Sequence, residues 1–298
     1  MKILKLIELI RPKQWVKNVF CFAAILFSGN LLNWDKLSVN IIAFIAFCGI
    51  SSCVYILNDI SDVESDRNHK KKRFRPIASG DVSVKEAWGF FALLILLTAM
   101  ACIFLLPTYF GIVIVLYFMN NLLYSTRLKH IVLLDVFSIS IGFMLRVIGG
   151  GFAIDVTISS WMIITTIFIS LFLGISKRRA ELANAEEAGT AVKQRKVLNE
   201  YSIDFVEQMN TIAATGTILS YALYTASEKT ITTFHTDKLI YTTPFVIYGI
   251  FRYLYLIHKK NLGESPSSIV TKDIPIIVTG VLWVIVCAAI IYKAKFGL

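Results

Sequence analysis

The sequence predicts an all-α, polytopic membrane protein with nine transmembrane helices. Of its 298 residues, 56% are hydrophobic, and the mean hydropathy of +0.67 is too high for a soluble domain of this length. The apolar residues gather in nine runs, and one membrane crossing needs about 20 such residues. No linker rich in Pro, Gly or Ser divides the chain, so we expect one integral membrane domain over residues 1–298. The expected spans are Val16–Leu32, Leu37–Leu57, Val84–Leu106, Tyr109–Leu123, Ile131–Ile154, Ser160–Ile175, Thr211–Ala226, Leu239–Ile257 and Ile274–Tyr292.

The N-terminal segment is predicted to lie at the membrane surface before the first span. Met1–Ile10 alternates Lys and Glu with Ile and Leu at helical spacing and has no cleavage site of small residues, which favours an interfacial helix over a cleaved signal. The following segment, 11–18, contains Trp and Lys residues that are typical of an interfacial anchor. Because Gln14, Lys17 and Asn18 also repeat at helical spacing, they could instead face the bundle interior.

The distribution of Lys and Arg predicts the orientation of the chain. With the N-terminus in the cytoplasm, 24 of the 30 Lys and Arg residues lie on the cytoplasmic side, five lie opposite, and Arg146 lies within a span. This bias predicts a multi-pass protein of the plasma or inner membrane, with the N-terminus and two long polar loops, 59–83 and 177–208, in the cytoplasm. The net charge of +10 favours contact with anionic lipid and anionic substrates. The sequence has no nucleic-acid-binding motif, and we expect no nucleic-acid partner.

An acidic segment follows the second span directly. On one continuous α-helix, Asp59, Asp62 and Asp66 fall within about 60° of one another, with Asn58 on the neighbouring stripe. Clustered carboxylates repel unless a cation lies between them, and ligands that are all oxygen point to a hard ion such as Mg²⁺. The alternative is a solvated helix end with ordinary surface acids.

A basic loop comes next, at residues 70–75. Taken alone, it could be only a positive-inside signal, but beside the acids it favours phosphate binding, because Arg makes bidentate contacts that Lys cannot. Pro76 and Gly80 predict that the loop turns back before the third span. The loop residues that we expect to bind phosphate are Lys72, Arg73 and Arg75.

The fifth predicted span contains two charged residues. Asp135 and Arg146 share one stripe of the helix, roughly 16 Å apart along its axis, so each needs another partner, and intramembrane charges are functional candidates by default. The glycines at 149–151 permit either close helix packing or a break in the helix. Just before this span, Tyr124 caps the fourth span and Lys129 follows it.

The sixth predicted span ends in the sequence Lys177-Arg178-Arg179-Ala180-Glu181. Lys177 and Glu181 are one helical turn apart and could merely pair with each other, or the basic residues could bind phosphate. The segment from Asn184 to Asn199 has the pattern of a solvated helix face. The five Cys residues lie in apolar spans and are expected to act as small hydrophobic residues.

The acidic pattern Asn58-Asp59-x-x-Asp62-x-x-x-Asp66 resembles the first aspartate-rich motif of the UbiA superfamily of intramembrane prenyltransferases, whose nine-helix bundle agrees with the predicted spans. Further segments are similar to one family within it, the decaprenyl-phosphate phosphoribosyltransferases. These segments are Arg11-Pro12-Lys13-Gln14-Trp15-Val16-Lys17-Asn18, Lys72-Arg73-Phe74-Arg75-Pro76-Ile77-Ala78, Leu134-Asp135-Val136, Arg146-Val147-Ile148-Gly149-Gly150 and Lys177-Arg178-Arg179-Ala180-Glu181-Leu182.

This resemblance implies a Mg²⁺-dependent phosphoribosyltransferase. Such enzymes transfer 5-phosphoribose from phosphoribosyl pyrophosphate (PRPP) to a decaprenyl-like polyprenyl phosphate, release pyrophosphate, and supply envelope glycan synthesis. Asp59, Asp62 and Asp66 are then the catalytic residues, and with Asn58 they would hold the metal. The residues expected to bind substrates are Lys17, Asn58, Lys72, Arg73, Arg75, Tyr124, Lys129, Asp135, Arg146, Lys177, Arg178 and Glu181.

One departure from the wider superfamily supports this interpretation. Typical prenyltransferases carry a second Asp-x-x-x-Asp pair after the sixth helix, whereas this chain has Lys177, Arg178 and Glu181 there. Basic residues are better suited to binding the extra phosphate of PRPP than to holding a second metal ion. The alternatives are a conventional prenyltransferase acting on an aromatic or glycerol-phosphate acceptor, and a lipid or ion transporter. A homo-oligomer is compatible with the sequence.

Overall fold

The computed structural model describes residues 2–69, 72–187, 196–259 and 266–295. These residues form helices and no strand, which confirms the predicted all-α class. Lys70 and Lys71 of the basic loop lie outside the described residues. The α-helices are α1 (Lys2–Leu9), α2 (Ala23–Leu26), α3 (Trp34–Ser61), α4 (Val63–Arg67), α5 (Val84–Phe104), α6 (Thr108–Thr126), α7 (Leu134–Ala153), α8 (Ser160–Glu187), α9 (Ile203–Ala226), α10 (Glu228–Phe234), α11 (Thr243–Lys259), α12 (Pro266–Lys272) and α13 (Ile274–Lys295).

Seven described helical segments are long and apolar enough to cross a membrane, as expected for a multi-pass membrane protein. Two of the nine predicted spans are not among these seven. The segment predicted as Val16–Leu32 begins as a 3₁₀ helix, Pro12–Phe22, and continues only briefly as α2. The span predicted at Thr211–Ala226 lies inside α9, which also contains two acidic residues and several Thr and Ser residues.

Side-chain caps explain where two of the long helices begin. The side chain of Asn33 accepts a hydrogen bond from the backbone of Lys36 at 3.1 Å and caps α3. Ser83 and Glu86 form a reciprocal capping box at the start of α5. Because α3 then runs on to Ser61, its last turns include Asn58 and Asp59.

The chain divides into two compact units. The first unit comprises Met1–Ile25, Asn33–Thr126 and Leu145–Thr157, and the second comprises Leu26–Leu32, Arg127–Met144 and Ile158–Leu298. The helix α7 therefore contributes its first turns to the second unit and its last turns to the first unit.

In the first unit, the loop between α4 and α5 folds back as the sequence predicted. Gly80 has a φ of 86°, a left-handed conformation that glycine adopts without steric cost. The backbone N–H of Val82 donates to the carbonyl of Pro76 at 2.9 Å and closes the turn. Ile77 and Val82 are buried in a small apolar cluster with Leu9 of α1, which anchors the loop close to the end of α3.

Close packing also fixes the last turns of α7 in the first unit. A Cβ on Gly150 would lie 1.9 Å from the carbonyl oxygen of Cys21, so only glycine permits this approach. The amide of Asn40 donates to the carbonyl oxygens of Cys21 and Gly150, at 3.4 and 3.3 Å. The helix continues unbroken to Ala153, so of the two alternatives for the glycines the structure shows packing.

The core of the second unit is formed mainly by α8, α9 and α11. Phe172, Ile175, Val206 and Tyr253 are among its buried residues. Residues 196–201 also contribute: Val197 and Leu198 are almost fully buried. The predicted solvated face up to Asn199 is therefore wrong at these two positions, because the segment packs into the core.

Candidate active site

The acidic segment of the first unit forms a cluster in which arginines cover buried carboxylates. One guanidinium nitrogen of Arg75 lies 3.0 Å from Asp59 Oδ1 and 2.6 Å from Asp66 Oδ2. Arg11 also donates to Asp59 Oδ1. The side chains of Asp59 and Asp66 are each 2% exposed, whereas those of Arg11 and Arg75 are 29% and 26% exposed. The two acids are thus buried, and the arginine side chains that neutralise them are partly exposed.

The acidic residues lie on two helices, whereas the sequence analysis assumed one. The helix α3 ends at Ser61, and α4 begins at Val63, with Asp62 between them at φ −96° and ψ 5°. Helical hydrogen bonds persist across this break, since Asp62 N–H donates to Asn58 and Asp66 N–H donates to the carbonyl of Asp62. Asp59 and Asp66 therefore still meet, while Asp62 takes no part in the described arginine contacts.

The other predicted phosphate-binding residues of the first unit lie around this cluster or elsewhere on its helices. Lys72 Nζ is 3.9 Å from Asp66 Oδ1. Arg73 is exposed and stacks on the ring of Phe74, with 4.8 Å between the guanidinium carbon and the ring centroid. Lys17 and Tyr124 are half-buried, on the 3₁₀ helix and on α6.

Arg146, the charged residue near the end of α7, is buried in the first unit. Its Nε donates to Asn18 Oδ1, and its Nη2 donates to the hydroxyl of Tyr117, both at 2.7 Å. The guanidinium also lies over the Tyr117 ring, 4.6 Å from its centroid. Arg146 therefore has the partners that its charge was expected to need, and the neutral polar groups of Asn18 and Tyr117 are among them.

A second arginine–carboxylate cluster lies in the second unit. Arg178 Nε is 2.7 Å from Asp135 Oδ2, and the same guanidinium also contacts Glu181. The hydroxyl of Tyr201 donates to Asp135 Oδ1 at 2.7 Å and accepts from the backbone of Leu133 at 2.8 Å. Arg178 is 1% exposed and Asp135 is fully buried. Burial raises the pKa of the Tyr201 hydroxyl, so Tyr201 acts as a neutral donor here.

Two lysines of the second unit are more accessible than Arg178. Lys177 is one third exposed, and its Nζ is 3.7 Å from Glu181 Oε1, so the predicted pairing within one helical turn is present. Such a partly exposed pair contributes little stability. Lys129 lies on a short 3₁₀ helix, Leu128–His130, and is half-buried. Glu181 is shared between Lys177 and Arg178.

The structure thus adds three partners that sequence analysis missed. Arg11 was quoted only as part of a motif, Tyr117 lay in an apolar run, and Tyr201 followed a segment interpreted as solvated. The sequence signal that could have singled out Arg11 is its position directly before Pro12, because proline interrupts a helix or begins a new one. The tyrosines gave no signal, because a Tyr in an apolar helix is usually part of the core.

Comparison with known proteins identifies the fold family. The model of the UbiA prenyltransferase family matches residues 18–271. The chain belongs to this family. The match over residues 18–271 confirms the resemblance that was based on the aspartate-rich pattern.

Two UbiA relatives have the same specific name. The chain is 35% identical to the decaprenyl-phosphate phosphoribosyltransferase of Mycolicibacterium smegmatis, over 96% of this chain and 92% of the relative. It is 34% identical to the enzyme of that name from Corynebacterium glutamicum, over 96% of this chain and 86% of the relative. The second resemblance, to this family of enzymes, is also confirmed.

Solved structures support the UbiA fold. A UbiA homologue from Archaeoglobus fulgidus, determined with GPP and Mg²⁺ bound, superposes with a TM-score of 0.69. The alignment covers 98% of this chain and all of that chain, at 18% sequence identity. At this identity the likeness shows the shared fold.

Two carboxylates of the acidic cluster are placed so that both can face one cation. Asp59 and Asp66 direct carboxylate oxygens to within 3.0 Å of a single cationic nitrogen, so both can face one positive charge. No group of three or more His, Cys, Asp or Glu side chains suited to a metal occurs among the described residues. Two carboxylates, completed by water and substrate phosphate, form a usual Mg²⁺ environment. The residues therefore fit the ion, with Asp59 and Asp66 as the ligands that the geometry favours.

Proposed function

We propose that this protein transfers 5-phosphoribose from PRPP to a polyprenyl phosphate and releases pyrophosphate. The observation that carries the proposal is the asymmetry between the two arginine–carboxylate clusters. The first unit offers two carboxylates behind accessible arginines, as a metal–diphosphate site requires. In the second unit, the carboxylates of Asp135 and Glu181 contact the buried Arg178. We therefore propose no second metal site there and assign phosphate binding to the partly exposed Lys177, whose Nζ lies 3.7 Å from Glu181.

Similarity to the named relatives supports the same substrates. The chain is 34–35% identical to these relatives over 96% of its length. The relatives' name specifies decaprenyl phosphate, and we propose an acceptor of this class. The long apolar helices provide surfaces on which its isoprenoid tail can lie.

In the proposed reaction, the donor's diphosphate binds at the acidic cluster of the first unit. Asp59 and Asp66 would hold Mg²⁺, with Asn58 and Asp62 as further candidate ligands, and a bound Mg²⁺ would neutralise the charge that develops on the leaving diphosphate. Arg75, Lys72 and Arg73 bind the phosphate oxygens and close over the donor. Their positive charges stabilise pyrophosphate as it departs.

The acceptor attacks without a strong general base. A lipid phosphate is already anionic near neutral pH, so one of its oxygens can form the bond to C1 of the ribose as the bond from C1 to the diphosphate breaks. Attack opposite the leaving group predicts inversion at C1. The aspartates of the acidic cluster would act by holding the metal that stabilises the leaving diphosphate. They would not accept a proton from the acceptor.

The remaining basic residues are proposed to bind the acceptor phosphate and the 5-phosphate of the donor. Lys17, Lys129 and Lys177 are accessible enough for direct contact, and Tyr124 can donate a hydrogen bond. Arg146 and Arg178 are held by protein groups, so we propose that both act by fixing their neighbours. For Arg178 these neighbours are Asp135 and Glu181, which set the position of Lys177 at the end of α8.

We further propose nine membrane crossings with the N-terminus and the acidic cluster in the cytoplasm, where PRPP is available. The bias of Lys and Arg supports this orientation. Labelling of single cysteines at Lys36 and Lys85 in intact cells tests it: only the Lys36→Cys variant should react with an impermeant thiol reagent. Reaction at position 85 alone would invert the orientation.

The function is tested with purified protein, Mg²⁺, labelled PRPP and a polyprenyl phosphate. We expect label to move into the lipid phase. A parallel reaction offers a labelled prenyl diphosphate with 4-hydroxybenzoate, the substrates of a conventional prenyltransferase. Label transfer in the second reaction and none in the first would reject phosphoribosyl transfer.

A further inference from the structure

Arg11 and Arg75 contact the carboxylates that a metal would use, those of Asp59 and Asp66. The side chains of the two acids are almost fully buried, and the arginine side chains in contact with them are partly exposed. Arg75 bridges both acids through one nitrogen. A cation bound by the same oxygens would occupy the space of that nitrogen, so Arg75 must move before a metal binds.

Arg11 is directed into this cluster by its backbone conformation. Its φ and ψ are 51° and 62°, a left-handed conformation that few residues other than glycine adopt. Its guanidinium lies over the ring of Tyr55, 5.1 Å from the centroid, and donates to Asp59. Strained backbone in a site is a reason to look for a function there. Here the strained residue, Arg11, places a second positive charge beside Asp59.

The charges of these four residues cancel, and Lys72 adds a further positive charge 3.9 Å from Asp66. A bare divalent ion would therefore add a double positive charge to a cluster whose carboxylates are already neutralised, while displacing arginines that stay tethered nearby. A diphosphate changes this balance, because its oxygens bind guanidinium groups through strong, charge-assisted hydrogen bonds. The metal can then take the carboxylates while the diphosphate takes the arginines.

We infer that Arg11 and Arg75 are built-in counter-ions of Asp59 and Asp66, so that the site binds a divalent cation much more tightly together with a diphosphate than alone. The inference rests on the proposed function only in requiring a diphosphate donor. It assigns Arg11 a role as a positioning residue and gives Arg75 two successive partners, the acids in the free enzyme and the diphosphate in the complex. Metal and diphosphate must then strengthen each other's binding by the same factor.

Equilibrium dialysis of the full-length protein in detergent tests this coupling. Bound Mn²⁺ is measured as a function of free Mn²⁺, with inorganic pyrophosphate either absent or equal on both sides of the dialysis membrane. For the wild type, we expect pyrophosphate to tighten Mn²⁺ binding about tenfold or more, within the usual range for coupled sites. The Arg75→Gln variant removes the positive charge and keeps most of the side-chain volume.

Arg75→Gln should change the two affinities in opposite directions. Binding of bare Mn²⁺ should become tighter, because its competitor is gone, and the effect of pyrophosphate should shrink to about threefold or less. Arg67→Gln is the matched control: Arg67 is an exposed arginine directly after Asp66, and its variant should keep the wild-type coupling. If Arg75→Gln does not fold, Arg11→Gln is measured instead, with the same expectation.

The inference is overturned if bare Mn²⁺ binds no more tightly to Arg75→Gln than to the wild type, or if the full pyrophosphate effect survives. It is also overturned if Arg67→Gln alters the coupling equally, since a general charge effect would then suffice. Pyrophosphate is the leaving group of PRPP and of prenyl diphosphates alike. The outcome of the Mn²⁺-binding test therefore does not depend on the outcome of the assay that identifies the donor.

Discussion

The two units each contain a buried aspartate paired with arginine, but only in the first unit is the arginine partly exposed. In the first unit, Asp59 and Asp66 are buried while Arg11 and Arg75 reach the surface. In the second unit, both Asp135 and Arg178 are buried, and Tyr201 completes the cluster. An arginine at the surface can exchange its partner for a substrate phosphate, whereas a buried one cannot do so without leaving a carboxylate uncompensated. We therefore propose that the first cluster binds substrate and that the second is structural.

Loss of a carboxylate in the first cluster should produce the largest effect on activity. Asp59→Asn should reduce turnover by roughly 10³-fold, because it removes a metal ligand, while the melting temperature in detergent changes little. Turnover of labelled PRPP into lipid provides the measurement, and Arg67→Gln serves as a control with near-wild-type turnover. Comparable activity in Asp59→Asn would mean that the cluster does not handle the diphosphate.

Loss of the arginine in the second cluster should instead lower stability. Arg178→Met leaves the Asp135 charge buried and uncompensated, which costs about 3–5 kcal/mol. We expect a marked fall in melting temperature, and a large part of it should return in the double variant Asp135→Leu/Arg178→Met, which removes both charges. If Arg178→Met melts like the wild type and only loses substrate affinity, Arg178 contacts a substrate directly.

Loss of the Lys177 side chain should have a smaller effect, which should be confined to substrate affinity. Its pair with Glu181 is partly exposed and adds little stability, whereas a charge-assisted bond to phosphate is stronger. Lys177→Ala should raise the KM for PRPP or for the polyprenyl phosphate roughly tenfold with an unchanged melting temperature. Lys272→Ala, at an exposed lysine of α12, is the control. Unchanged KM values for both substrates would reduce Lys177 to an ion pair at a helix end.

The smallest expected effect is at the surface of the first unit. Lys5 Nζ lies 3.1 Å from Asp81, and hydrogen bonding to Lys5 lowers the pKa of Asp81. Because the folded state favours the ionised carboxylate, this contribution is present above the ordinary aspartate pKa and is lost as the pH falls through the lowered value. Asp81→Asn should therefore lower the melting temperature slightly at pH 7 and not at strongly acidic pH. An equal difference at both pH values would contradict the pairing.

The fold class and the proximity of Asp59 to Asp66 could be predicted from the sequence because both depend on local patterns. Long apolar runs and the spacing of Asp59 and Asp66 are visible without tertiary structure. The partners of these charges were not predictable, because Arg11 and Tyr201 reach their carboxylates over 48 and 66 positions of sequence. The first predicted span also differed in local structure, since residues 12–22 form a 3₁₀ helix where an α-helical span was predicted.

Simultaneous measurement of pyrophosphate release and of lipid-bound phosphoribose tests the central claim most directly. With PRPP, polyprenyl phosphate and Mg²⁺, we expect the wild type to release one pyrophosphate for each phosphoribosyl group that enters the lipid phase, and Asp59→Asn to form neither product at a comparable rate. Lipid labelling without matching pyrophosphate, or full activity in Asp59→Asn, would contradict the account.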